Sequence, residues 1–222
     1  NKLPNLKALF VGDMTYEENE ISWIIQTDYT PLLNAFSKLE QLRVRGSDNL
    51  QFSQFKHNRL KTLIIECGGL SSAIIESIIN AHLPALEHLE LWLGIKEYGF
   101  DGNLQTIKPL LKDGLFPKLR YLGLRDSDIA DDIAIEIANA PILEQLEILD
   151  LSLGILTDKG AQALLDSDGI KTLTKLDLHY HYMSTSMMEK LARLGIEEID
   201  ISEQQQEEYD DEEIYRLVAV SE

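Results

Sequence analysis

Phe116-Pro117-Lys118-Leu119-Arg120-Tyr121-Leu122-Gly123-Leu124-Arg125-Asp126-Ser127-Asp128-Ile129 is the stretch that decides the fold. Leu119, Leu122 and Leu124 fall in an LxxLxL pattern, which suits a short strand with one buried face. The strand leaves through a small polar residue, Ser127. The phrase recurs as LKALFV from Leu6, LEQLRV from Leu39, LKTLII from Leu60 and LEHLEL from Leu86. It continues as LEILDL from Leu146, LTKLDL from Leu173 and IEEIDI from Ile196. The eight starts are spaced by 33, 21, 26, 33, 27, 27 and 23 residues. Periods of roughly 20–29 residues mark a stacked array of repeats, and the two longer ones carry loop insertions.

Between the strand phrases lie helix-length segments with an apolar stripe behind a polar N-cap. Ser71 and Ser72 precede Ile74, Ile75, Ile78 and Ile79; Asp131 and Asp132 precede Ile133 and Ile137. Thr157 and Asp158 precede Ala161, Leu164 and Leu165; Ser184 precedes Met187, Met188, Leu191 and Leu194. No such repeat buries its apolar face alone, so stacking must make the core. The implied fold class is α/β: a leucine-rich-repeat solenoid, or horseshoe. Its parallel sheet is expected on the concave side and its helices on the convex side.

Some stretches leave this rhythm. Within residues 13–37, Ile21, Ile24 and Ile25 suggest one helix, and Thr30-Pro31 opens a second, short helix through Phe36. Residues 47–59 are too short for a full helix, and 93–103 is a glycine-containing loop. Gln204 to Glu213 is a solvated acidic run, and Ile214 to Val220 (IYRLVAV) reads as a strand. That strand is expected to pair with the last repeat and blunt the sheet edge. Residues 1–222 thus read as a single domain of about eight repeats with a capping strand at 214–220. Leu3 already belongs to a repeat and the first residue is Asn1, so a fragment lacking an upstream region is expected.

The phrases LRYLGLRDSDIADDIAIEIANA and LEILDLSLGILTDKGAQALL resemble repeats of the ribonuclease-inhibitor-like class, whose units alternate strand and helix. The resemblance covers nearly the whole chain. EISWIIQTDYTPLLNAF, LEHLELWLG and the closing VAVSE are similar to a little-characterised family of bacterial cytoplasmic leucine-rich-repeat proteins. That resemblance implies a binding role without established catalysis, and a cytoplasmic location. One departure stands out. Many leucine-rich repeats place Asn or Cys just after the strand, where this chain has Ser47, Gly68, Gly94, Ser127, Gly154, His181 and Gln204.

Composition narrows the partners. The 222 residues carry a net charge of −18. Residues 1–111 hold 13 acids and 10 bases, and residues 112–222 hold 25 acids and 10 bases. Nucleic acid is therefore not expected as a partner of this domain, because phosphate binding needs a concentrated basic face. Cys67 is the single cysteine, which excludes an intrachain disulfide and fits a reducing compartment. No 18-residue apolar run points to a membrane. There is no phosphate-binding glycine loop, GxSxG elbow or HExxH, so neither catalysis nor a cofactor is expected.

The outward residues of the strands carry the candidate site. They are Arg43, Arg45, His88, Glu90, Trp92, Tyr121, Arg125, Asp150, Asp177, His179 and Asp200. Arginines lie towards one end and aspartates towards the other, a dipolar surface that would orient a partner. Asp150, Asp177 and Asp200 should stack roughly 4.8 Å apart, screened by water, Lys175, a basic partner or a cation. Trp92 is either a contact anchor or a residue buried under the 93–103 loop. His179 and His181 have an i, i+2 spacing, but no third ligand is evident and no metal is expected. These features imply a non-catalytic protein–protein interaction scaffold with its site on the concave face. The alternative is a recognition or regulatory module of a larger protein with an enzymatic or nucleic-acid-sensing domain upstream.

Overall fold

The computed structural model describes residues 3–15, 17–210 and 213–220. All eight phrases are strands of one open sheet, paired in parallel and in chain order. They are β1 (Ala8–Val11), β2 (Gln41–Arg45), β3 (Thr62–Glu66), β4 (His88–Gly94), β5 (Tyr121–Ser127), β6 (Ile148–Asp150), β7 (Lys175–Asp177) and β8 (Glu198–Asp200). The connections hold α1 (Thr30–Ala35), α2 (Ser72–Ile79), α3 (Leu104–Ile107), α4 (Ala130–Ile137), α5 (Asp158–Asp166) and α6 (Thr185–Leu191).

Register comes from the leucines. Leu9, Leu42, Leu63, Leu89, Leu122, Leu149, Leu176 and Ile199 pair in an unbroken row across the sheet. From Leu42 to Leu176 that row is fully buried, so a one-residue slip would expose every member. Ile75, Ile78, Ile133, Ile137, Leu164 and Leu191 share the same core, so helices cover this face of the sheet. The opposite, outer face carries the polar rows. Leu6, Leu9, Val11 and Ile199, at the two ends, are only partly buried because they lack one neighbour.

Most repeats leave the strand through a left-handed residue: Gly12, Gly46, Gly94, Asp126, Leu153, Tyr180 and Glu203, with φ between 54° and 91°. Only glycine fits at Gly94, where a Cβ would stand 1.8 Å from the Gly68 carbonyl oxygen. At Asp126, Leu153, Tyr180 and Glu203 the conformation costs about 1 kcal/mol each. Backbone bonds to the next repeat offset it: the N–H groups of Asp126, Leu153 and Tyr180 donate to the carbonyls of Ser152, His179 and Ser202. The following position replaces the missing asparagine ladder with other side chains. Ser47 Oγ donates to the Gly69 carbonyl at 2.8 Å, and Gln204 Nε2 to that of Met183 at 2.8 Å. Buried His181 accepts the Met183 N–H on Nδ1, so Nε2 donates to the Ile201 carbonyl at 3.0 Å. Burial lowers its pKa, which favours this neutral form.

Helix starts are tied between repeats. Asp131 accepts the Thr157 N–H, the Thr157 hydroxyl and the Gly160 N–H. Asp158 does the same for the N–H and hydroxyl of Ser184, the N-cap of α6.

Three expectations change. Ile21–Trp23 is a single 3₁₀ turn, because Ile24 turns into the core while Ile25 is 71% exposed, which no one helical stripe allows. A helix not foreseen, α3, begins at Asn103 with a reciprocal capping box to Thr106. The capping strand at 214–220 is corrected. Glu213–Tyr215 (β10) pairs antiparallel with Glu208–Asp210 (β9) in a separate two-stranded sheet, and β8 remains the edge of the main sheet. The contacts of the residues after β10 explain this. Arg216 is held by Glu207, and the hydroxyls of Tyr180 and Tyr182 donate to the Leu217 carbonyl at 3.1 and 3.0 Å. Residues 216–220 then run as a strap back over the strand exits. Val218 is buried, the Ala219 N–H reaches the Leu153 carbonyl at 2.8 Å, and the Val220 N–H reaches Asp126 Oδ1 at 2.9 Å.

Two outcomes test this fold. Leu122→Ala and Leu149→Ala should each cost about 2–5 kcal/mol in chemical denaturation, as fully buried leucines do. Losses below about 1 kcal/mol at both would reverse the inside and outside of the sheet. Asp126 is 0% exposed, and burial pushes it up from 3.8 to about 8, against the Val220 N–H and the Arg125 charge. Unfolding lets it ionise at the lower value, so its contribution to stability falls as pH rises from about 4 to about 8. Asp126→Asn keeps the size and tolerates the left-handed turn. Its stability relative to wild type should grow by a few kcal/mol between pH 5 and 8 and then level off. A difference that does not change with pH would contradict the burial of this carboxylate.

Candidate functional site

The register sets the outer face side chain by side chain. Phe10, Arg43, Ile64, Glu90, Gly123, Asp150, Asp177 and Asp200 form its central row. His88, Tyr121 and Lys175 stand in the row before, and Arg45, Glu66, Trp92 and Arg125 in the row after. Ten of the eleven candidate residues therefore face the same way, and His179, just past β7, joins them through its contact with Asp177. Their contacts with one another depend on side-chain reach as well as register.

The middle of the face is a polar network about Glu90, 7% exposed, and Asp150, 3% exposed. Trp92 Nε1 donates to Glu90 Oε1 at 2.8 Å, and an Arg125 terminal nitrogen donates to the same oxygen at 3.0 Å. Arg125 Nε also donates to Ser152 Oγ at 3.0 Å and lies 3.4 Å from Asp150 Oδ2. The Tyr121 hydroxyl donates to Asp150 Oδ2 at 2.6 Å and stands 3.2 Å from Glu90 Oε2. Asp150 Oδ1 takes the N–H and hydroxyl of Ser152. His88 stacks on Tyr121 with ring centroids 3.7 Å apart, and its Nε2 lies 3.4 Å from Glu90 Oε2 without hydrogen-bond alignment. The Arg125 guanidinium sits 5.2 Å from the Trp92 ring centre.

Gly123 makes this possible. A Cβ there would come within 3.1 Å of both Glu90 Cγ and the Tyr121 ring. The bare central position lets Tyr121 lean between the two carboxylates.

The electrostatics reflect burial and charge together. Burial works to raise Glu90, but the approach of His88, the Trp92 hydrogen bond and the Arg125 charge outweigh it and hold the carboxyl down at about 2. Burial and the charges of Asp150 and Glu90 raise Tyr121, keeping its hydroxyl a donor. Arg125 is partly desolvated, yet Asp150 and Glu90 strengthen its charge.

The two flanks are also paired. Arg43 and Arg45 both bind buried Glu66, and both guanidiniums pack on Phe10, at 4.4 and 5.7 Å from its centroid. Lys175 bridges Asp177 at 3.5 Å and Glu198 at 2.7 Å, while His179 Nδ1 meets Asp177 Oδ1 at 2.6 Å. Asp200 accepts the N–H and hydroxyl of Ser202, which lower its pKa against burial. Pairing at the two ends is partial: two arginines share Glu66 at one, and Lys175 alone serves Asp177 and Glu198 at the other, beside Asp200. Trp92 is half-buried in this network. The 95–100 loop instead packs on the exit of β3, with Tyr98 against Gly69.

Sequence reading missed Ser152, Glu66 and Gly123 as parts of the network. The gap at Gly123 beside a tyrosine was the available signal. It also found no third metal ligand. Asp177, His179 and Asp200 in fact bring ligand-capable atoms within 4.8 Å of one another, with the Lys175 ammonium already between carboxylates. Cys67 is buried, its thiol pushed up to about 12 by desolvation, and it donates weakly to the Trp92 carbonyl at 3.4 Å. It is therefore poorly suited to nucleophilic chemistry.

The chain is 37% identical to a protein of known crystal structure from Bacteroides fragilis. The likeness covers 99% of this chain and 60% of that one, with a TM-score of 0.90. The two share their fold over that span, and this chain spans 60% of the length of the other protein. An internalin from Listeria monocytogenes aligns over 81% of the chain and 59% of its own at 16% identity, with a TM-score of 0.38. No protein-family model matches, and no curated protein is similar. Among the described residues no helix is long and apolar enough to cross a membrane.

Glu90→Gln tests the network. Glu90 is lowered from 4.5 to about 2, so its stabilisation is present above pH 4.5 and lost as pH falls towards 2. The variant should be about 3 kcal/mol less stable than wild type at pH 7, with the gap closing on acidification. A gap below about 0.5 kcal/mol at pH 7 would mean that the network does not form.

Proposed function

We propose that the chain is a non-catalytic protein-interaction scaffold of the ribonuclease-inhibitor-like leucine-rich-repeat class. Its sheet lines the concave side of a horseshoe and its helices the convex side. One strand per repeat, all parallel, with helices on the core side, supports that architecture. The observation that carries the function is the locked cluster of Trp92, His88, Tyr121 and Arg125 on the outer face. Half-buried aromatic rings held by hydrogen bonds lose little freedom when a partner covers them, which favours binding. Aromatic and arginine side chains are also the residues that dominate interface energies. Cys67, a free and buried thiol, fits a cytoplasmic setting.

A second reading keeps the same surface and enlarges the protein. The similar Bacteroides fragilis chain extends well beyond the matched span. In that reading this segment is the recognition or regulatory module beside an enzymatic or nucleic-acid-sensing domain.

The test is affinity capture with three baits: wild type, Trp92→Ala, and Glu76→Ala on the exposed side of α2. Trp92→Ala should weaken binding of the captured partners by about 2 kcal/mol or more, and Glu76→Ala should not. Equal recovery by all three baits would move the site away from the concave face.

A further inference from the structure

The rim where strands leave the sheet differs from the outer face, and it carries a groove of about 510 Å³ over the exits of the first four repeats. Trp23, Asp48, Asn49, Glu97 and Tyr98 line it. Trp23 is 67% exposed. Neither Asp48 nor Glu97 has a side-chain hydrogen bond or ion pair among the described residues, and no lining residue is basic. Glu97 lies close enough to Asp128 for the two charges to repel, and Asp128 Oδ1 is buried without a hydrogen-bond partner. On the outer face every comparable carboxylate has its arginine, lysine, tyrosine or serine. Here the acids are uncompensated and a tryptophan stands beside them.

The same rim already holds peptide. The strap 216–220 bonds to Tyr180, Leu153 and Asp126, the left-handed exit residues of three successive repeats. The groove lies over the next exits along that rim. Four strands spaced about 4.8 Å apart span roughly 15 Å, the reach of four or five extended residues.

We propose that this rim groove binds an extended basic segment of a partner protein. Its lysine or arginine side chains meet Asp48 and Glu97, and one cationic head packs on the Trp23 face. A guanidinium or ammonium over an exposed indole is favourable, and a carboxylate that accepts its N–H groups fixes its position. The site is independent of the concave-face reading: it uses none of the residues of the Glu90 network.

The experiment uses the 222-residue chain and a fluorescein-labelled eight-residue peptide of alternating arginine and glycine, read by fluorescence anisotropy. An alternating glutamate–glycine peptide is the sign control, and spermine is the competitor. The basic peptide should bind and the acidic one should not. Asp48→Asn with Glu97→Gln should weaken binding at least tenfold, and Trp23→Ala at least fivefold. The control pair Glu144→Gln with Glu197→Gln removes the same charge elsewhere and should change it less than twofold. Trp92→Ala should also leave it unchanged, which separates failure here from failure of the concave-face reading. Equal weakening by both charge pairs would reduce the effect to the net charge of −18 and overturn the proposal. So would displacement of the peptide by an equimolar amount of spermine. Self-association of the chain that Trp23→Ala abolishes would assign the groove to a second copy and overturn it too.

Discussion

No repeat of this chain can bury its own leucines, and everything else depends on that constraint. Leu42, Leu63, Leu89, Leu122, Leu149 and Leu176 have to lie against one another, in one row, to leave water. Side chains alternate along a strand, so fixing the inner row fixes the outer rows as well. Glu90, Tyr121, Arg125 and Asp150 come from three different repeats and meet only because the core has set their register.

The outer face and the rim handle charge in opposite ways. Taking Glu90 and Asp150 nearly out of water is costly unless partners replace the lost hydration. Arg125, Tyr121, Trp92 and Ser152 supply those partners from both neighbouring strands. The result is a stiff surface with little unused charge. At the rim Asp48 and Glu97 stay solvated, and Asp126 is kept in place under the strap at the expense of a raised pKa. A strongly acidic chain can therefore pair its charges across the middle of the outer face and leave carboxylates unpaired at the rim.

Much of the architecture was legible from spacing alone. The LxxLxL phrases located all eight strands, and polar N-caps at Ser71, Thr157 and Ser184 located three helices. Pro31 marked the short α1. The features that escaped had too little periodicity to read. The Ile21–Trp23 turn and the four-residue α3 are shorter than one apolar stripe. IYRLVAV has the composition of a strand, but the hydroxyls of Tyr180 and Tyr182, some 35 residues earlier, turn it over the rim instead. Direction of the site residues was also legible, while their pairing was not. Alternation shows that Arg125 points outward; it does not show how far a long side chain reaches across to Glu90 and Asp150.

The most direct test of this account is the coupling energy between Glu90 and Arg125, which sit on neighbouring strands 35 residues apart in sequence. A double-mutant cycle with Glu90→Gln, Arg125→Met and the pair, followed by chemical denaturation at pH 7, measures it. Stacking in the stated register predicts a favourable coupling of about 1–3 kcal/mol. Additivity within about 0.3 kcal/mol would contradict it, and with it the placement of the outer face.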